Sequence, residues 1–257
     1  MRGRSAPVLG LLLAWSATAA EIPVSERRSG FDAMSPDIQA MQQDEMANPG
    51  LLWLQDGADL WGKAPSPDRP ACAGCHGEAG ASMRGVAVRY PVYDAATAAP
   101  IDLEGRINAC RARHQGAAPF PRESRELLGL TTYVAAQSRG LPIAPPDDPR
   151  LASARAAGKA LFTQRMGQLG LSCAACHDDH AGRRLGAALI PQGHPTGYPL
   201  YRLEWQGVGS VQRRLRNCMT GMRAEPFANG APEFVALERY LMDRASPLPL
   251  ETPAVRP

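Results

Sequence analysis

The sequence predicts an all-α chain in which one small helical unit occurs twice in tandem, after an N-terminal extension. Three observations predict it. Apolar and aromatic residues recur at helical spacing, as in Gly57-x-x-Leu60-Trp61 and Leu130-x-x-Tyr133-Val134. One series of residues appears twice in the same order. The pentapeptide Cys-x-x-Cys-His stands once in each series, as Cys72 to His76 and Cys173 to His177.

The elements follow in chain order. Arg2 and Arg4 precede an apolar run from Ala6 to Trp15, then the small residues Ala17-Thr18-Ala19-Ala20. This pattern predicts a secretory leader over 1–20, cleaved near Ala19 or Ala20. The run is too short to span a bilayer, and no later segment is long and apolar enough to do so. The expected product is an exported protein of a bacterial periplasm, with no membrane span. Residues 21–50 lack the repeat and form an extension, helical around Asp37 to Met46. The first unit occupies 51–140. Leu141-Pro-Ile-Ala-Pro-Pro-Asp-Asp-Pro149 cannot continue a helix, so 141–150 reads as a semi-rigid linker. The second unit occupies 151–257.

The repeat is detailed. Gly57-x-x-Leu60-Trp61 lies 15 residues before Cys72, and Gly158-x-x-Leu161-Phe162 lies 15 before Cys173. Tyr90-Pro-Val-Tyr93 and Tyr198-Pro-Leu-Tyr201 follow the Cys pairs. Sixteen residues past the first Tyr comes Arg106 or Arg214, and four further on Cys110 or Cys218. Pro119-Phe120 and Pro226-Phe227 come next. Each copy closes on a helical stripe, Leu130-x-x-Tyr133-Val134 or Leu237-x-x-Tyr240-Leu241. Gly four residues before an aromatic puts both on one helical face, where the Gly admits a second helix closely.

Cys-x-x-Cys-His is the attachment pattern of c-type haem: two thiols bond the porphyrin and the histidine is placed to bind iron. A zinc ribbon would draw both Cys pairs to one metal and would not need a His after each; a thioredoxin-like dithiol would not need one either. Two covalent haems are therefore expected, each in a cytochrome c-like domain, where a short helix before the haem crosses a C-terminal one. The low aromatic content, 6 %, suits cores filled largely by haem.

Histidine supply constrains the remaining iron ligands. Of five histidines, His76 and His177 are the proximal ligands, and His114, His180 and His194 have no equivalent in the other copy. Cys110 and Cys218 are equivalent, so thiolate is the expected distal ligand of both irons. A Cys110–Cys218 disulfide and inert buried thiols are the alternatives. Met83, Met219 and Met222 lie near but are not duplicated. Thiolate ligation favours ferric iron and a low potential, and a cysteine that can leave iron is also a nucleophile.

The net charge of +3 falls to about +1 without Arg2 and Arg4, so nothing global points to nucleic acid or lipid. The basic residues are nearly all arginine, with Lys63 and Lys159 the only lysines. Arg202, Arg213, Arg214, Arg216 and Arg223 surround Cys218. Arg214, four residues before Cys218, shares its helical face and can hold an anion against the sulfur. Arg213 and Arg216 are expected at solvent or at haem propionates. Arg106 stands in the same relation to Cys110, so spacing does not decide which cysteine is catalytic.

The run from Gly197-Tyr-Pro-Leu-Tyr-Arg through Asn217-Cys218-Met-Thr-Gly-Met-Arg-Ala-Glu-Pro-Phe227 resembles the SoxA family, and the resemblance extends over essentially the whole chain after the leader. It implies an L-cysteine S-thiosulfotransferase: a dihaem cytochrome paired with the monohaem cytochrome SoxX. Such a complex joins thiosulfate oxidatively to a cysteine of the carrier SoxY (as SoxYZ) and passes two electrons to cytochrome c. It also implies that Cys218 is the catalytic sulfur, carried as a persulfide, and that Arg214 contacts substrate. Three other functions fit two haem motifs. A thiosulfate dehydrogenase would release tetrathionate, and an electron-transfer cytochrome would need no substrate arginine. A dihaem peroxidase would need an iron site that can open.

Overall fold

The computed structural model describes residues 21–257; the expected leader lies outside the described residues. The extension carries helix α1 (Pro36–Gln43). The first copy follows as α2 (Leu51–Gly62), the short α3 (Cys72–His76) and α4 (Ala79–Ser82), strands β1 (Val92–Asp94) and β2 (Ala99–Ile101), α5 (Leu103–His114) and α6 (Arg125–Ala136). The second runs α7 (Ala152–Thr163), α8 (Cys173–His177), strands β3 (Arg184–Leu185), β4 (Ala188–Leu189), β5 (Leu200–Arg202) and β6 (Gly207–Gly209), then α9 (Val211–Gly221) and α10 (Pro232–Ala245). Strand β7 (Ala254–Arg256) closes the chain.

The class is helical as expected, with short strands added where no strand was expected. Tyr-Pro-x-Tyr opens an antiparallel hairpin in each copy, with Tyr93 opposite Pro100 and Tyr201 opposite Val208. A helix starts directly after each hairpin, capped by equivalent residues. Asp102 accepts from the Gly105 amide at 2.6 Å, and Ser210 from the Arg213 amide at 3.0 Å.

Each copy is built on one helix crossing, α2 on α6 and α7 on α10. The glycines set how close these crossings are. A Cβ on Gly57 would lie 2.1 Å from the Gly129 carbonyl oxygen, and one on Gly158 would lie 2.1 Å from that of Ala236. Beside the crossings, Trp61 packs on Tyr133 and Phe162 on Tyr240, with ring centroids 6.0 and 5.4 Å apart.

The copies are tied together at several places. The first core, around Trp61, Leu127, Leu130 and Val134, also takes in Met242, Ala245 and Leu250 from the far end of the chain. The Pro-rich linker is extended, as its prolines require, and is also pinned. Ile143 is fully buried and its amide donates to the Leu248 carbonyl at 2.9 Å. β7 lies parallel to β5 and is held by α1, whose Gln42 accepts from the Val255 amide at 3.0 Å. The extension therefore packs on the second copy: Asn48 donates to the Pro253 carbonyl at 3.0 Å, and His194 to the Arg28 carbonyl at 2.8 Å. Between the copies lies a buried polar cluster. Arg122 bridges Asp102 and Glu104 at 2.6 and 3.1 Å, and Gln212 donates to Asp102 and Glu238 at 2.7 and 3.2 Å. No helix among the described residues is long and apolar enough to cross a membrane.

Candidate active site

Both Cys-x-x-Cys-His segments form a single helical turn, α3 and α8, against the crossing of their own copy. The i, i+3 spacing of the two thiols places them on one face of that turn. In the first copy, Trp61 donates to the Gly77 carbonyl at 3.0 Å and its ring lies 5.7 Å from that of His76. In the second, the His177 ring is held more tightly. Its Nδ1 donates to the Pro191 carbonyl at 2.7 Å, which fixes the tautomer and leaves Nε2 as the nitrogen that could bind a metal. Gly193 crosses the ring with φ +75°, and a Cβ there would lie 2.9 Å from His177 Cγ. Burial pushes the His177 pKa down, favouring the neutral imidazole that a metal requires.

Cys110 on α5 lies in the neighbourhood of Cys72 and Cys75, and Cys218 on α9 in that of Cys173. The Cys72 thiol is pushed up by burial and by neighbouring Cys110; Cys110 is pushed up by burial and by Cys75. Cys173 is pushed up to about 12 by burial and by Cys218. All six cysteines are free, so Cys110 and Cys218 are not joined to each other. Two attachment thiols, an oriented imidazole and an opposing thiol fit haem c in each copy.

The other candidate ligands lie elsewhere or have other partners. His180 donates to the Ala175 carbonyl at 2.6 Å. His194 faces the extension, and burial pushes its pKa down to about 4. His114 is the last residue of α5. Met83 packs on the first core, while Met219 and Met222 cluster with Phe234.

The arginines differ between the copies. Arg106 and Arg113 both bind Asp94 at 3.0 Å, and the Arg113 hydrogen bond, with help from Arg106, holds that carboxyl well below the usual carboxylate range. Arg214 forms no ion pair among the described residues. Arg213 stacks on Trp205 at 4.3 Å, and Arg216 donates to the Phe227 carbonyl. Both side chains thus have a protein partner. The carbonyl of Arg223 accepts from the Gln168 amide at 3.2 Å. The hold of Pro191 and Gly193 on the His177 ring carries no sequence motif, because it spans 14 and 16 positions along a loop.

Residues 56–143 and 157–250 both match the family described as SoxA/TsdA, cytochrome c domain. The L-cysteine S-thiosulfotransferase subunit SoxA of Pseudaminobacter salicylatoxidans is 36 % identical over 235 residues, covering 91 % of this chain and 82 % of that protein. The chain belongs to the SoxA family. The subunit of the same name from Rhodovulum sulfidophilum is 34 % identical over 231 residues, 90 % of this chain and 80 % of that one. A crystal structure of SoxXA from P. pantotrophus superposes with a TM-score of 0.86 at 31 % identity, covering 90 % of this chain and 87 % of that one. Membership in the SoxA family makes this a cytochrome with covalently bound haem c.

Proposed function

We propose that the chain is the catalytic cytochrome subunit that conjugates thiosulfate to a cysteine of the carrier SoxY, working in the periplasm as a heterodimer with SoxX. Two haems are carried in units 51–140 and 151–257, which are joined by the linker 141–150 and preceded by the extension 21–50. Residues 1–20 are removed on export. Cys72 and Cys75 attach the first haem, with His76 and Cys110 as iron ligands. Cys173 and Cys176 attach the second, with His177 and Cys218.

One observation carries this reading: Arg214, which forms no ion pair among the described residues, stands one helical turn before Cys218, itself in the neighbourhood of Cys173. Thiosulfate is a dianion, so Arg214 attracts it and turns its outer sulfur toward Cys218. Haem, when bound, supplies an electron acceptor beside that sulfur. The Cys218 thiolate forms a sulfur–sulfur bond to the outer sulfur as two electrons depart, ultimately to cytochrome c. The carrier's thiolate then attacks the outer sulfur, and Cys218 leaves as thiolate. The sum joins one thiosulfate and one carrier thiol into a cysteine S-thiosulfonate, with release of one proton and two electrons. The names of the SoxA relatives and the likeness to the solved SoxXA structure support the activity and the partner.

The test is to incubate the haem-loaded heterodimer with thiosulfate, oxidised cytochrome c and carrier, and to weigh the carrier by mass spectrometry. A thiosulfonate adduct is expected, with cytochrome c reduced in proportion. Tetrathionate without adduct would instead indicate a thiosulfate dehydrogenase. The mass of the mature chain reports both the number of haems and any added sulfur on Cys218.

A further inference from the structure

The duplication breaks at one position that matters for charge. Four residues after the first Tyr of Tyr-Pro-x-Tyr stands Asp94 in the first copy and Arg202 in the second. Both end the first strand of equivalent hairpins, Asp94 opposite Ala99 and Arg202 opposite Gly207. In the first copy the Asp94 side chain, 4 % exposed, closes on Arg106 and Arg113. In the second, the carboxylate is replaced by a guanidinium and Arg113 by Gly221. The first copy neutralises its arginine; the second adds another.

The Arg202 side chain is only 14 % exposed, and its Nε is buried without a hydrogen-bond partner among the described residues. Its carboxylate partner is Glu204, 63 % exposed, at 3.2 Å. Burial and the charge of Arg214 both push the Arg202 pKa down. Tyr198 is pushed up to about 12 by burial, and Arg214, Arg202 and Cys218 all act on it, so these groups share one neighbourhood. The charges of Arg214 and Arg202 repel, and an unpaired buried N–H is costly. A dianion would relieve both costs, because each fork supplies paired donors to oxyanion oxygens.

We propose that Arg202 is the second anion-binding arm of the Cys218 site, gripping the sulfonate end of thiosulfate together with Arg214. The proposal rests on the functional reading above and adds a residue that determines which anions the site accepts. A dianion with a free terminal sulfur uses both arms, while a monoanion of similar size leaves one charge uncompensated. The equivalent place in the first copy, with Asp94 already on Arg106, does not take up the anion.

The test is calorimetric titration of thiosulfate into the haem-loaded heterodimer, without carrier, alongside the absorption spectrum. Arg202→Gln should weaken Kd by about 10- to 100-fold, with both haems retained and their spectra unaltered. Arg202→Lys should recover part of the loss. Arg202→Asp, which rebuilds the first copy's pair, should remove measurable binding. Arg106→Gln should leave Kd unchanged. An unchanged Kd in Arg202→Gln would overturn the proposal. So would a changed spectrum or lost haem with unchanged Kd, which would assign Arg202 to a haem carboxylate. If the parent binds thiosulfate in an Arg202-dependent way yet forms no carrier adduct, the functional reading fails and the anion arm stands.

Discussion

Arg106 and Arg214 stand at equivalent places, one helical turn before Cys110 and Cys218, yet they meet different neighbours. Asp94 occupies Arg106, whereas Arg214 pairs with no carboxylate among the described residues. This contrast sets the expected outcome of replacing each. Arg214→Ala should cost about 2–4 kcal/mol of transition-state stabilisation, a fall of roughly 30- to 1000-fold in kcat/KM for carrier conjugation. Arg214→Lys should restore only part, since a point charge replaces a fork. Arg106→Ala should change kcat/KM by less than about threefold, because its charge is already spent on Asp94. Equal losses in the two copies would show that the second haem has no special part. The cysteines can be separated in the same way: Cys218→Ala should abolish conjugation, while Cys110→Ala should alter the spectrum of one haem and leave conjugation largely intact.

At the scale of elements, the helix crossings depend on two missing methyl groups. A Cβ on Gly57 or Gly158 would meet a backbone oxygen of the partner helix, and a main chain yields less readily than a side chain. Gly57→Ala and Gly158→Ala should therefore each destabilise the haem-loaded chain by about 1–3 kcal/mol or more. For a chain of this size that is about 2–4 °C of Tm per kcal/mol. Gly62→Ala is the control, as a Cβ there meets nothing within 4 Å. It should be neutral or slightly stabilising, since alanine is the better helix former. Thermal unfolding followed at a haem band distinguishes these outcomes, and a neutral Gly158→Ala would mean that the helices can separate without loss.

At the scale of the whole molecule, the buried polar cluster makes stability depend on pH. Glu104 is pushed up to about 8 by burial and by Asp102, and Glu238 is raised for the same two reasons. The folded chain then keeps a proton that the unfolded chain releases above the ordinary carboxyl range. The stability linked to Glu104 is complete below about pH 4.5 and is lost as pH rises through about 8. Glu104→Gln removes that titration while Arg122 keeps Asp102 as its partner. Relative to the parent, the variant should gain up to about 3 kcal/mol between pH 5 and pH 8, read by urea unfolding at several pH values. Parallel curves would show that Glu104 is ionised in the folded chain. The assembly offers a second expectation. Thiolate-ligated haems are low in potential, so the heterodimer should outpace the isolated chain in reducing cytochrome c. Equal rates would remove the need for the monohaem partner.

The duplication, the two Cys-x-x-Cys-His turns and the two glycine crossings are legible in the sequence because each depends on short, regular spacing. Cys-x-x-Cys-His is one helical turn, and Gly57 to Trp61 is one more; periodicity encodes both. What surrounds each arginine is decided by tertiary structure. Asp94 and Arg202 are visible as letters, but their meaning depends on a hairpin that carries the strand end to the following helix. The grip of Pro191 and Gly193 on His177 likewise depends on a loop path, as does the return of the chain's end onto the linker. The packing of the extension on the second copy joins residues some two hundred positions apart. Such contacts leave no period and no motif, because they depend on where folded elements meet and not on how the chain steps locally.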